Sequence, residues 1–323
     1  MNLSYRILWI EDNQDFIDSL DIDGVVRSYI EGQGFDLQID FRIEPDEIAK
    51  PVDGSMYDLL VIDYKIAEGD LHGSDVIKQV RSGKCLTEVI FYSTDSPSIL
   101  REVAAREELE GVFFSSRGQE QLLPKIKAVF DLTVRKVVDT ENMRGIVMAG
   151  VADLDHVIAD VLRAVHDSYD AGKQVDLCRR LLEKMRPVVK GLQSLVKEGN
   201  HASFGDVERL LGDIVKLDPT DFETLVASRQ FDSHKRVDMA TSICKSHEKL
   251  KPFRSDFEAI KELLQWRNAL AHQRGVEGEQ PYPHFEVDGK HEPFNPERTL
   301  ALRRGLRSHR LKLTEVLLAL REG

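Results

Sequence analysis

Along residues 1 to 130 the hydrophobic positions fall in short runs separated by amphipathic stretches. "RILWI", "LQIDFRI", "YDLLVID", "EVIFYS" and "GVFF" have strand length and are rich in Val, Ile and Phe. Between them, "FIDSLDIDGVVRSYIE", "SDVIKQVR", "SPSILREVAAREE" and "QLLPKIKAVF" carry apolar residues at three- and four-residue spacing. Parallel neighbours need crossover connections, so this alternation predicts an α/β doubly wound, five-stranded parallel sheet with helices on both faces. From about residue 131 the alternation stops. "RGIVMAGVADLDHVIADVLRAVHDSY", "VDLCRRLLEKMRPVVKGLQSLVKE", "KRVDMATSICKSHEKL", "DFEAIKELLQWRNALAH" and "PERTLALRRGLRSHRLKLTEVLLALRE" all show helical apolar faces, with Pro187 expected to kink its helix. One exception is "HFEVDGKHEPF", where Asp288 and Gly289 suit a tight hairpin turn. The pattern thus divides the chain into residues 1–130 and an all-helical domain over 131–323. No Gly/Ser linker marks the boundary, so the last N-terminal helix is expected to run on into the second domain.

Composition narrows the function. No apolar run approaches the roughly 20 residues that span a bilayer, and the start "MNLSYRILWIED" lacks a signal-peptide pattern, so a cytoplasmic protein is expected. Cys85, Cys178 and Cys244 are far apart and outside any C-x-x-C spacing, which favours reduced thiols over disulfides or zinc. The net charge of −12 is uneven: residues 1–130 hold 13 Lys and Arg against 25 Asp and Glu, and the remainder holds 31 of each. Nucleic acid is therefore not expected on the first domain. In the second, Arg303, Arg304, Arg307, Arg310 and Lys312 form either a local basic face or a solvated helix face.

Glu11 and Asp12 directly follow the first strand, and Asp63 ends the third. Residues just past parallel strand ends share one crevice, so three carboxylates are expected to meet there. Clustered carboxylates suit a hard cation such as Mg²⁺, and a carboxylate can also accept a phosphoryl group. Ser93, after the fourth strand, reaches the same edge.

"LWIEDN", "LLVIDY", "HGSDVIKQVR" and "VIFYST" resemble the receiver domain of bacterial response regulators over roughly residues 4 to 130. The resemblance implies Glu11 and Asp12 as metal-binding acids, Asp63 as phosphoacceptor and further metal contact, the Lys65 backbone carbonyl as another metal ligand, and Ser93 as switch hydroxyl. It also implies a sensor histidine kinase or small phosphodonor as partner in a two-component phosphorelay. One departure stands out. Receivers carry a lysine after the fifth strand, whereas this chain reads "GVFFSSRG", placing Ser115 or Ser116 there with Arg117 as the nearby cation. Ser116 and Arg117 therefore join Ser93 as candidates for the phosphate switch. Arginine suits phosphate but is not equivalent to a lysine point charge, so a scaffold that keeps its acids without switching stays open.

The stretch "QWRNALAHQRG" raises a second chemistry. On a helix, Asn268 and His272 stack one turn apart, while Arg267 lies about 140° around the axis from His272. Two copies meeting about a two-fold axis would bring their Arg, Asn and His groups into one cleft, with Ala269 and Ala271 permitting close approach. Arg267, Asn268 and His272 resemble the R-x4-6-H motif of HEPN domains. That resemblance implies a dimeric helical domain and a metal-independent endoribonuclease leaving cyclic phosphate ends, in a stress or antiviral effector. Histidine can move protons near neutrality, Arg can clamp phosphate and Asn can orient either group. The alternatives are a dimeric protein-binding module without catalysis, or a His272 that only complements the helix dipole ahead of a Gly275 terminator. A coupling route is expected through the helix from Gln119 to about Val138, moved by changes at Asp63. Asp153, His156 and Asp160 share a helix face and are expected to be solvated, and His284 and His291 lack ligand spacing. Nucleotide-hydrolysis, zinc-protease and α/β-hydrolase motifs are missing.

Overall fold

In the computed structural model, which describes residues 3–66, 72–197, 221–276 and 282–321, each apolar run of the first 130 residues is a strand. These are β1 (Ser4–Ile10), β2 (Asp36–Arg42), β3 (Leu59–Asp63), β4 (Glu88–Ser93) and β5 (Val112–Ser116). All pair in parallel in the order β2-β1-β3-β4-β5, the flavodoxin-type doubly wound arrangement. Alternate side chains enter opposite layers, because successive residues of a strand face opposite sides. Ile7, Trp9, Leu59, Val61, Ile90 and Tyr92 pack with α2 (Ser28–Gly32) and α6 (Gln119–Val137). Leu8, Ile10, Leu60, Ile62, Val89 and Phe91 pack with α4 (Gly73–Ser82) and α5 (Pro97–Arg106). Burial on both faces explains why the strands read as continuous apolar runs.

The stretch after β1 is not one helix. It breaks into α1 (Gln14–Asp18), a π-helical turn over Ile22–Arg27 and then α2, with α3 (Pro45–Ile48) following β2. The Asp21 side chain accepts from the Gly24 amide at 2.9 Å, a local bond that competes with a continuous helical ladder.

The first compact unit comprises Met1–Ile146 together with Pro296–Arg307. Periodicity marks where the strands stop, but α6 passes residue 130 without a break. Its Asp131 accepts from the Tyr29 hydroxyl at 2.8 Å, and Thr133 hydrogen-bonds the Tyr5 hydroxyl at 3.2 Å. The unit also takes in the start of the last helix, α12 (Pro296–Arg321). Here the expected basic face is corrected. Arg303 is only 4 % exposed, donates from Nε to the Gln33 carbonyl at 3.1 Å and lies over the Phe35 ring at 5.6 Å. Arg304 donates to the Gly32 carbonyl, and Arg307 pairs with Asp36 at 2.8 Å and Glu31 at 2.7 Å. Gly34 turns beneath them at φ +84°. Arg303 and Arg304 thus satisfy carbonyls where α2 ends, a position that favours cations.

The second unit, Val147–Asn295 with Ser308–Gly323, is helical. Among the described residues its helices are most of α7 (Thr140–Asp167), α8 (Ala171–Lys197), which runs through Pro187, α9 (Phe222–Ala227), α10 (Ser233–Ile243), α11 (Arg254–His272) and the end of α12. Phe231, Phe257, Trp266 and Phe285 are fully buried in it. The expected hairpin is present as antiparallel β6 (His284–Val287) and β7 (Lys290–Pro293). Asp288 and Gly289 both have positive φ, 52° and 73°, as a two-residue primed turn requires. Asp153, His156 and Asp160 are exposed. The three cysteines are free thiols, and no described helix is long and apolar enough to cross a membrane.

Candidate functional sites

The strand ends converge as the apolar runs imply. Glu11, one residue past β1, is fully buried, Asp63 at the tip of β3 is 1 % exposed, and Asp12 is exposed. One carboxylate oxygen of each lies within 4.8 Å of the others. Gly73 makes room for this packing, since a Cβ there would stand 2.0 Å from the Asp63 carbonyl oxygen.

Glu11 is pinned from three sides. Its Oε1 accepts from the Asn13 amide at 3.0 Å and from Arg117 Nη2 at 2.9 Å. Its Oε2 accepts from the Tyr92 hydroxyl at 2.9 Å, and that hydroxyl accepts from Trp9 Nε1 at 2.9 Å. Arg117 also approaches Asp63 Oδ2 at 3.7 Å and lies over the Phe16 ring at 4.3 Å. Burial, with Asp63 beside it, pushes the Glu11 carboxyl up to about 7. Asp63 is pushed up to about 6, chiefly by burial, with Arg117 and the Tyr64 amide pulling it down. Two buried carboxylates sharing one guanidinium are under-neutralised. Asp63 Oδ1 is buried and has no hydrogen-bond partner among the described residues. An orphaned oxygen in an all-carboxylate set fits a hard, oxygen-seeking cation.

The remaining receiver-type candidates surround this crevice. Ser93 is fully buried, and its hydroxyl accepts from the Asp95 amide at 3.2 Å. Lys65 sends Nζ to Asp95 at 3.0 Å, and its backbone lies two residues beyond Asp63 at the same edge. Ser116 stands beside Ser93 in register, and the Arg117 amide donates to the Ser93 carbonyl at 2.7 Å. The Ser115 hydroxyl is turned to the Ser116 carbonyl at 3.2 Å. Of the three residues at the missing lysine, Arg117 therefore delivers the positive charge.

The second candidate site is the C-terminal end of α11. Asn268 and His272 occupy one face a turn apart, and His272 is exposed. Arg267 is partly buried, donates from Nη2 to Ser233 Oγ at 3.3 Å, and its Nε is buried with no partner among the described residues. Asn268 meets His234 Nε2 at 3.3 Å. Ser233 and His234 begin α10, whose N-cap is Asp232. Their proximity to the motif escaped the sequence reading, since 34 residues separate each pair and only the packing of α10 on α11 unites them.

Two expectations about this segment are corrected. Ala269 is 2 % exposed and packs inside its own unit, so it is not a surface for a second copy, whereas Ala271 is exposed. Gly275 does not terminate the helix. Gln273 leaves it in extended conformation, and its side chain grips both backbone groups of Glu286 at 2.8 Å. Gly275 is needed for space instead, because a Cβ there would come within 2.6 Å of Pro283 Cβ.

No protein-family model matches the sequence, and no curated protein matches it. Solved structures similar to the chain include a CheY-like response regulator receiver domain protein from Methanospirillum hungatei, at 17 % identity, covering 41 % of this chain and 98 % of that one with a TM-score of 0.30. Another is the receiver domain of the Francisella response regulator 1452, at 18 % identity, covering 41 % of this chain and 98 % of that one with a TM-score of 0.27. The strand order, the crossovers and the carboxylates at the strand ends are what give the first unit a receiver-type, flavodoxin-like fold, followed by a helical unit.

Proposed function

We propose that this chain is a response regulator whose receiver governs a helical output domain, and that the output domain is a HEPN-type, metal-independent endoribonuclease. The receiver half of the reading rests on Asp63, a buried carboxylate with an orphaned oxygen at a strand end, next to Glu11, Asp12 and a guanidinium. When bound, Mg²⁺ held by Glu11, Asp12, Asp63 and the Lys65 carbonyl would neutralise charge on an incoming phosphodonor. Asp63 is the acceptor, Ser93 and Ser116 offer hydroxyls to the added phosphoryl oxygens, and Arg117 exchanges its carboxylate contacts for them. Glu11 holds Arg117 until then. A small phosphodonor plus Mg²⁺ is expected to add one phosphoryl group to the wild type and none to Asp63→Asn, read by intact-mass spectrometry.

The output half rests on the end of α11, which carries Arg267, Asn268 and an exposed His272 on a helical unit. Arg267 would clamp a phosphodiester, Asn268 would orient it, and His272 would move a proton during attack by the neighbouring 2′-hydroxyl. A homodimer would place two such helix ends near each other and give the receiver a geometry to regulate. Cleavage of labelled single-stranded RNA by the wild type, lost in Arg267→Ala and His272→Ala, tests this half. Equal activity in both variants would refute it. A non-catalytic dimer that binds a partner protein is the second reading, favoured by wild-type protein that leaves RNA intact.

A further inference from the structure

We infer that His234 is the second proton-transferring group of the Arg267–Asn268–His272 centre, so that one chain supplies both imidazoles that cleavage of an RNA phosphodiester requires. The inference rests on the ribonuclease reading and adds to it a residue that lies outside the motif.

Transesterification needs two proton transfers on opposite sides of phosphorus. The 2′-hydroxyl must lose a proton as its oxygen bonds to phosphorus, and the 5′-oxygen must gain one as its bond to phosphorus breaks. The products are a 2′,3′-cyclic phosphate and a free 5′-hydroxyl, and the two imidazoles finish in exchanged protonation states that water resets. The motif by itself offers one imidazole, His272. Asn268 lies one helical turn, about 6 Å, from His272 along α11 and touches His234 Nε2 at 3.3 Å. His234 is therefore the imidazole from another element that reaches the motif.

The contact also assigns its atoms. An Asn side chain presents oxygen or nitrogen by a half-turn about its last bond. With Oδ1 turned to His234, Asn268 accepts from Nε2–H whether the ring is neutral or charged, which leaves Nδ1 to take up or release the proton. His234 is exposed, so this edge is open to substrate. Its neighbours suit a phosphodiester. The Arg267 guanidinium is tethered to Ser233 on the same helix start and keeps a buried, unpartnered Nε–H. The neighbouring acid Asp232 is already engaged, accepting from the Lys235 amide and pairing with the Lys235 ammonium.

The test is cleavage of a fluorophore–quencher single-stranded RNA by the full chain, comparing wild type with His234→Ala, His234→Gln and His272→Ala. Circular dichroism melting controls for folding. Both His234 variants are expected to lose about a hundredfold or more in kcat, the usual contribution of a general acid or base, with KM changed less than about threefold. His234→Gln separates roles, because it keeps a hydrogen bond to Asn268 but carries no titrating proton. If it cuts RNA at the wild-type rate while His272→Ala is inactive, the inference falls and the ribonuclease reading stands. If wild-type protein leaves RNA intact, both fall. Mixing His234→Ala with His272→Ala subunits should restore nothing, and restored cleavage would overturn the claim that one chain holds both groups.

Discussion

Gly34→Ala should destabilise the first unit by roughly three times what an alanine costs at an open positive-φ glycine. Gly34 sits at φ +84°, and a Cβ there would stand 2.6 Å from Arg303 Cβ, 2.8 Å from its carbonyl carbon and 2.9 Å from the Arg304 amide nitrogen. Two of those three atoms are backbone, so no side-chain rotation relieves the clash. The left-handed conformation alone costs an alanine about 1 kcal/mol. Overpacking against a fixed backbone adds ~1–3 kcal/mol. If α12 instead lifts away, Arg303 gives up its Gln33 bond and its place over Phe35, losses of similar size. The sum is about 2–4 kcal/mol. Gly289 is the matched control: its φ is +73°, and an added Cβ meets nothing within 4 Å, so Gly289→Ala should cost only about 1 kcal/mol. Hydrogen exchange resolved by peptide reads the two units separately, and Gly34→Ala should also deprotect the start of α12. Equal losses at the two glycines, with α12 still protected, would show that this helix does not rest on Gly34.

Other consequences follow from the same packing. Arg236, paired with Asp155 on α7, is 15 % exposed at its side chain and its partner 16 %, so Asp155→Ala should strand a largely buried guanidinium and lower the stability of the second unit by ~3 kcal/mol in urea unfolding. Mg²⁺ should raise the melting temperature of the wild type and not of Asp12→Ala. Arg117→Ala should bind Mg²⁺ more tightly by calorimetry, since guanidinium and ion share the same carboxylates. His309 and His247 are held below the ordinary imidazole range, each chiefly by burial, with Asp256 and Glu262 opposing at His309 and Lys249 adding at His247. A depressed imidazole contributes stability that is present above the unfolded value of about 6.5 and is lost as pH falls through the folded one. Urea midpoints of the second unit should therefore drop below about pH 6.5, and His309→Phe should flatten that drop.

Much of this architecture is legible in local pattern. Runs such as "YDLLVID" report strands covered on both faces, acids written directly after them must gather at one sheet edge, and Asp288-Gly289 announces its own turn, because burial periodicity and positive-φ tolerance are properties of neighbouring residues. What local pattern does not carry is the choice of partner. The Arg303–Arg307 stretch reads as a local basic face or as a solvated helix face, and only folding brings Arg303 and Arg304 to carbonyls some 270 positions away. "SSRG" leaves open which residue supplies the crevice cation until β5 ends at Ser116 and turns Arg117 inward. His234 has no signature of its own and gains a role through the packing of two helices, since long-range contacts depend on shape complementarity between surfaces that no single segment contains.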